Sequence, residues 1–426
     1  MKKRVPLLVM SLISIAVILG STVAAAEQIT LRWFMRWDKV RLDNVAKPII
    51  EEFQKKHPNI KIEIENIASG REYTTKLLTM AAGGAMPDVL YPNTCDANVL
   101  AAKGALLDLR PFMKLVDLTA YDRRILDLYR YKGGIYGLPI DRAALAIFYN
   151  KDMFDEAKVP YPTKEMTWDE FIALAKKLTK DKNGDGRIDQ WGVHLETDTY
   201  WQVFLYHMTG KNMYDDLYKP TKFLMKEPKA VEAIQLYADM MLKHKIAPTP
   251  SQRAGISDLF VAGSAAMNII GHWRVPQYIE NCKFRWDVAP LPHGPYKANR
   301  ADGSCFAIGK NTKHPKEAWE FVKYLAGPDS PGVKKLLELQ QMVPAITKYQ
   351  KSDLFLKSEP QINKKAFLAY SDRLVICYQP LNTDFQELDN IIRTELNKVW
   401  EGEETAAEAI KNITPKVEAV LMRSNI

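Results

Sequence analysis

Cysteine is scarce in this sequence. Cys95, Cys282, Cys305 and Cys377 lie far apart in 426 residues, and no two form a C-x-x-C pair. That spacing argues against a thiolate zinc site. Disulfides stay open, because four cysteines allow three pairings and nothing selects one. There is no dense Lys/Arg block and no P-loop. The formal charge of +8 includes Lys2, Lys3 and Arg4; without residues 1–26 the balance is 56 basic against 51 acidic residues, or +5. So mild and scattered an excess does not suit nucleic acid. Beyond the N-terminus no stretch is long and apolar enough to cross a bilayer. What the chain does have is a globular composition, 47% hydrophobic and 26% charged, and length for two or three domains.

The N-terminus carries an export pattern. Lys2, Lys3 and Arg4 form a basic opening, Val5–Leu19 an apolar core, and Ala24, Ala25 and Ala26 a small-residue cleavage site. Residues 1–26 are therefore expected to be a signal peptide. No cysteine follows the cleavage site, so the mature protein is expected free and soluble, periplasmic or extracellular, and monomeric.

The mature chain opens as strand, helix, strand, helix, strand. Ile29–Met35 reads as a strand, and Leu42–Lys56 as a helix with Val45, Ile49 and Phe53 on one face. Ile60, Ile62 and Ile64 alternate with Lys61, Glu63 and Glu65, the pattern of a strand with one wet face. Tyr73–Ala82 is a second helix, Pro87–Tyr91 a third strand and Asn93–Asp96 a polar turn. This order predicts an α/β layer with a mostly parallel sheet. Later, Leu145–Tyr149 is a strand, Thr167 and Glu170 form a capping box, Pro290–Asp302 is a loop and Cys305–Ile308 a strand. The stretch Asp258–Arg274 is the most telling. Ser257 can cap a short helix over Leu259–Val261, and Ala265–Ile270 is almost wholly apolar, as a strand buried on both faces is. Gly271, His272 and Trp273 then stand at the strand's carboxyl end, the edge where open α/β sheets bind ligands. Trp273 there can stack on a ligand or simply fill the core.

Six segments, taken in order, point further. They are GGAMPDVLY (Gly83–Tyr91), GGIYGLPID (Gly133–Asp141), FYNKDMFDEAKVPYP (Phe148–Pro162), TWDEFIALAKKLT (Thr167–Thr179), LFVAGSAAMNIIGHW (Leu259–Trp273) and HPKEAWEFVKYLAG (His314–Gly327). In this order the chain resembles the extracellular solute-binding proteins of ABC sugar importers, the family that includes maltose-binding protein. The resemblance covers essentially the whole mature chain. It implies an α/β, two-lobed periplasmic-binding-protein fold, type II-like, with the ligand in the cleft between lobes. Three hinge crossings are implied, near residues 141–145, 303–306 and 343–346. Lobe one would hold residues 27–142 and 304–344, and lobe two residues 143–303 and 345–426. The implied function is capture of a carbohydrate, an oligosaccharide by preference, and delivery to ABC permease subunits, without catalysis.

A sugar presents hydroxyl edges and flat apolar faces, so its site needs aromatics together with Asp, Glu, Asn or Arg. The candidates placed by the resemblance are Trp37, Asp38, Asp96, Arg142, Tyr200, Trp201, Trp273 and Arg274. Tyr378, Asn382 and Asp384, ahead of a late helix, complete the set. Arg36, Arg41, Arg142 and Arg274 keep an acidic oligosaccharide in view, against the alternative of ordinary surface arginines. The rival class is a secreted polysaccharide-degrading enzyme. Asp38, Asp96 and Asp384 can be paired on paper for that, but no nucleophile or metal pattern joins them. A non-sugar organic solute is the rival ligand.

Residues 181–190 form a second candidate site. Asp181, Asn183, Asp185 and Asp189 put oxygens at positions 1, 3, 5 and 9 of an EF-hand-like loop, with Gly186 at 6 and the Arg187 carbonyl at 7. Gly192 occupies position 12, so the loop is incomplete; the resemblance implies that Gln190 contributes. The expected cofactor is structural Ca2+, and the alternative is a plain Asp/Asn/Gly turn.

Overall fold

The computed structural model describes residues 28–253, 255–339, 342–377 and 379–424. The expected signal peptide and Tyr378 lie outside the described residues. In chain order, β1 (Ile29–Met35), β2 (Ile60–Asn66) and β3 (Val89–Leu90) are followed by the hairpin β4 (Arg130–Tyr131) and β5 (Gly134–Ile135) and by β6 (Leu138–Pro139). Next come β7 (Leu145–Asn150), β8 (Met267–Gly271) and β9 (Trp286–Ala289), then β10 (Asn299–Arg300), β11 (Cys305–Ile308) and β12 (Leu374–Val375).

One sheet has the order β2-β1-β3-β11-β6. β1 runs parallel to β2 and β3, as the alternating strand and helix pattern predicts, whereas β11 is antiparallel to both its neighbours. β11 follows β10 without a crossover helix between them, so nothing forces it to run parallel. The second sheet, β8-β7-β9, is antiparallel throughout. All six residues of β7 are buried. Leu145, Ile147 and Tyr149 enter one core with Met267, Ile269 and Ala289; Ala146 and Phe148 enter the other with Ile270, Val288 and Phe367. Cover on both faces explains why the sequence here is apolar without alternation.

Two local expectations are corrected. Asn93–Asp96 is not a turn: Asn93 caps the helix Thr94–Ala102, its Oδ1 accepting the Asp96 N–H at 2.7 Å. Residues 94–101 of that helix are all buried, and a helix buried on every side shows no 3.6-residue stripe. The short helix expected after Ser257 is a turn held by Asp258 instead, whose Oδ1 accepts the N–H groups of Phe260 and Val261 at 3.0 and 3.2 Å. The capping box of Thr167 and Glu170 is present.

Between the sheets run three connecting segments that hydrogen-bond to one another. Ile140 N–H donates to the Ser304 carbonyl at 3.1 Å, Ala143 N–H to Asp302 at 2.8 Å and Arg142 N–H to Val343 at 2.9 Å. No helix among the described residues is long and apolar enough to cross a membrane.

Candidate functional site

A cleft cavity of ≈ 280 Å³ opens between the two sheets. Arg36, Asp38, Arg41, Tyr91 and Asn93 line one wall, following the carboxyl ends of β1 and β3. Tyr200, Trp273 and Arg274 line the other, and Asp141, Ala143, Arg300, Gly303 and Ser304 come from the connecting segments. The placement follows from the sheets, since strand ends expose side chains and backbone that no neighbour covers.

The aromatic part of the site is built from three residues. The rings of Tyr200 and Trp273 meet edge to face at 6.2 Å. The Arg300 guanidinium stands over both, 5.2 Å and 5.3 Å from their centres. Arg300 is itself held by Asp302 in a fork, Nε to Oδ1 at 2.8 Å and Nη2 to Oδ2 at 2.5 Å, both residues buried. Cys377 N–H donates to the same carboxylate at 3.1 Å. Trp273 folds back over Gly271, where a Cβ would stand 1.7 Å from the indole.

The acidic part is small. Asp38 caps the turn after β1 and pairs with Arg41 at 2.8 Å. Asp141 accepts the Ser304 N–H at 2.6 Å, and burial pushes its pKa up to about 6 although Arg36 and Arg300 pull the other way.

Several sequence candidates fall elsewhere. Trp37 is a core residue, 2% exposed, packed edge-on against Trp33 and Tyr91 at 5.9 and 5.5 Å; it backs the wall without lining the cavity. Arg142 is 1% exposed and donates Nη2 to the Phe367 carbonyl at 2.8 Å, while its Nε and Nη1 have no acceptor. Burial lowers its pKa to about 10. Trp201 packs on Trp400 at 6.3 Å and bonds the Asp198 carbonyl. Asn382 bonds the Tyr218 carbonyl and holds the Asp384 N–H at 3.1 Å, and neither lines the cavity. His272, buried against Phe355 and Phe367, has its pKa lowered to about 3 by burial and belongs to the scaffold. Of the candidates, Arg36, Asp38, Arg41, Tyr200, Trp273 and Arg274 come together at the cavity.

Asp96 is also off the cavity. It is 4% exposed and takes the Thr74 hydroxyl at 2.9 Å; burial raises its pKa to about 6 against the lowering effect of Arg36. Its folded form therefore holds a proton that an ordinary aspartate has lost. The stabilisation this gives is full below the unfolded pKa near 3.8 and is lost as pH rises through about 6. Asp96→Asn is expected to raise stability at pH 7 by about 1–3 kcal/mol and to leave it little changed at pH 4. Thermal melts at the two pH values check this; a variant less stable at pH 7 would contradict it.

Arg300, Asp302, Asn93 and Ser304 were not among the sequence candidates. Arg300 and Asp302 stand two apart, a spacing that puts both side chains on one face of an extended segment. That spacing is the signal that could have found them.

The loop 181–190 closes on itself. Asp181 accepts the N–H groups of Gly184 and Gly186, each at 2.7 Å, and Asn183 and Asp185 each accept the N–H two residues on. Asp189 accepts the Lys182 N–H at 2.8 Å. Gln190 is buried; its Nε2 donates to the Leu178 carbonyl at 2.7 Å, and its Oε1 has no partner. No three His, Cys, Asp or Glu side chains among the described residues converge as a metal set. A cation here would need Asn183, the Arg187 carbonyl or Gln190 as well.

Known proteins are similar to this chain in sequence and in fold. The family model of the bacterial extracellular solute-binding proteins matches residues 40–330. The maltodextrin-binding protein MdxE of Bacillus subtilis is 26% identical, over 67% of this chain and 68% of its own. The multiple sugar-binding protein of Streptococcus mutans is 25% identical, over 70% of this chain and 71% of its own. Among solved structures, an ABC substrate-binding protein of Listeria monocytogenes in complex with cycloalternan superposes with a TM-score of 0.83 at 26% identity, covering 93% of this chain and 99% of that one. The matched family model spans more than half of the chain, and the chain therefore belongs to the bacterial extracellular solute-binding protein family.

Proposed function

We propose that this protein captures an oligosaccharide between its lobes and delivers it to the permease of an ABC transporter. The observation that carries the reading is the cleft itself: a Tyr200–Trp273 platform, able to stack on a sugar face, with charged groups around it for the hydroxyls. The sugar-binding relatives and the cycloalternan complex support the same ligand class. Lobe one is taken as residues 27–142 and 304–344, lobe two as 143–303 and 345–426, with the three hydrogen-bonded connecting segments as the hinge about which the lobes close. The protein acts outside the cytoplasm, exported by residues 1–26, and works as a monomer without turnover. Against the hydrolase reading, Asp96 and Asp384 do not reach the cavity, so only Asp38 of the three paired carboxylates remains, and Arg41 occupies it. Titration of the mature protein with a panel of malto-, manno- and arabino-oligosaccharides and their uronate counterparts is expected to raise the melting temperature with no cleavage product. Cleaved sugar would sink the reading.

The loop 181–190 is proposed to bind Ca2+ as a structural ion. The orphaned, buried Gln190 Oε1 supports this, together with the carbonyl and carboxylate oxygens of the loop. The ion would pin the loop between the helix Trp168–Leu178 and the segment entering at Gln190. Removal of Ca2+ with a chelator is expected to lower the melting temperature, and Asp181→Ala to abolish that sensitivity. An unchanged melt after demonstrated removal of all metal would count against the ion.

A further inference from the structure

We propose that the oligosaccharide taken by this cleft is anionic, a uronate oligosaccharide whose carboxylate is bound at Arg274; the inference rests on the oligosaccharide reading of the cleft. The starting observation is an imbalance of donors and acceptors. Arg36, Arg41, Arg274 and Arg300 all line the cavity, and a guanidinium only donates. The acceptors beside them are largely engaged. Asp38 accepts the Arg41 N–H at 2.9 Å and its Nε at 2.8 Å, Asn93 Oδ1 caps its own helix, and Ser304 Oγ takes an Arg36 N–H at 3.0 Å. Asp141 Oδ1 takes the Ser304 N–H. A neutral sugar hydroxyl both gives and takes a proton, and suits a site with donors and acceptors near parity. A carboxylate only takes, and suits this one.

Arg274 is the member that sets the class. Arg41 and Arg300 each have a carboxylate in contact, Asp38 and Asp302. Arg274 has none within ion-pair distance among the described residues. Its Nη1 donates to the neutral amide of Gln277, and its Nε is buried with no acceptor. Burial works to lower the pKa of Arg274, but nearby charges, those of Asp258 and Glu196 among them, leave it raised without an ion-pair contact. Asp258 takes the Tyr278 hydroxyl at 2.9 Å, and Glu196 lies 3.8 Å from His194 and 3.9 Å from Arg253. The charge of Arg274 is thus balanced only at a distance, while its buried Nε has no acceptor, a hydrogen bond that a ligand oxygen would complete. The planar fork matches a planar carboxylate, and Trp273 beside it offers a face for the ring that carries the carboxylate.

The test uses the mature protein and two sets of probes. One holds galacturonate, mannuronate, guluronate and glucuronate-bearing oligosaccharides; the other holds neutral malto-, manno- and arabino-oligosaccharides and methyl-esterified galacturonates of the same length. At least one free uronate is expected to bind, more weakly as salt rises, and a methyl ester to bind less well than its acid. Arg274→Gln is expected to weaken uronate binding by about 10–100-fold, with Arg274→Lys in between. Equal uronate binding by Arg274→Gln overturns the inference. If Arg274→Gln fails to fold, the acid against its methyl ester decides on the native protein, and equal affinity overturns the inference. Binding of neutral sugars alone also overturns it and leaves the oligosaccharide reading standing. Binding in neither set overturns both.

Discussion

Asp302→Ala is expected to destabilise the protein by about 3–5 kcal/mol, a large part of the whole stability of an ordinary domain. Asp302 is fully buried and Arg300 is 4% exposed. The carboxylate accepts two guanidinium N–H groups and the Cys377 N–H. Without it, a buried guanidinium loses the carboxylate that forks it and a backbone donor loses its acceptor, and both losses carry a desolvation cost. Replacing both partners by apolar residues, Arg300→Met with Asp302→Leu, is expected to cost much less, because no charge is then stranded. Function separates from stability in this pair. Arg300 stands over both Tyr200 and Trp273, so both variants should bind ligand poorly while only the single one melts early. Denaturant unfolding and ligand titration of the two variants provide the check; a single variant that loses under about 1 kcal/mol would show that Arg300 finds another partner.

Gly271→Ala is expected to reduce ligand affinity by about 10–100-fold. The backbone at Gly271 is extended, with φ −97° and ψ 168°, so any residue could adopt it. Space is the obstacle. A Cβ would lie 1.7 Å from Cζ3 and 2.1 Å from Cη2 of Trp273, and the indole must leave its place. Overpacking of this kind costs about 1–3 kcal/mol, and here the displaced ring is also the proposed ligand platform. The double variant Gly271→Ala with Trp273→Ala removes the collision. It should regain stability relative to Gly271→Ala and still bind weakly. Should Gly271→Ala bind as tightly as the native protein, the platform role of Trp273 falls.

Much of the scaffold was legible because its signals are local. Ile60, Ile62 and Ile64 alternate with charged residues and form β2; Thr167 and Glu170 spell a cap and make one; the apolar run ending at Gly271 is β8, buried on both faces. Where a segment is buried on every side, as in the helix Thr94–Ala102, the periodic signal vanishes and a helix reads as a turn.

The site was less legible, and the two tryptophans that follow strands show why. Trp37 comes two residues after β1, and Trp273 two residues after Gly271 closes β8. Nothing in either neighbourhood of the sequence separates them. Trp37 meets Trp33 and Tyr91 and disappears into the core; Trp273 meets Tyr200 and Arg300, which arrive from distant parts of the chain, and stays at the cavity. The sequence by itself determined the order of elements, the export pattern and the family, because those rest on periodicity, caps and contiguous segments. Only the tertiary structure decided which rings and charges face the cleft, because burial is fixed by partners remote in the chain, and a donor such as Arg274 shows its unmet Nε only once every neighbour is in place.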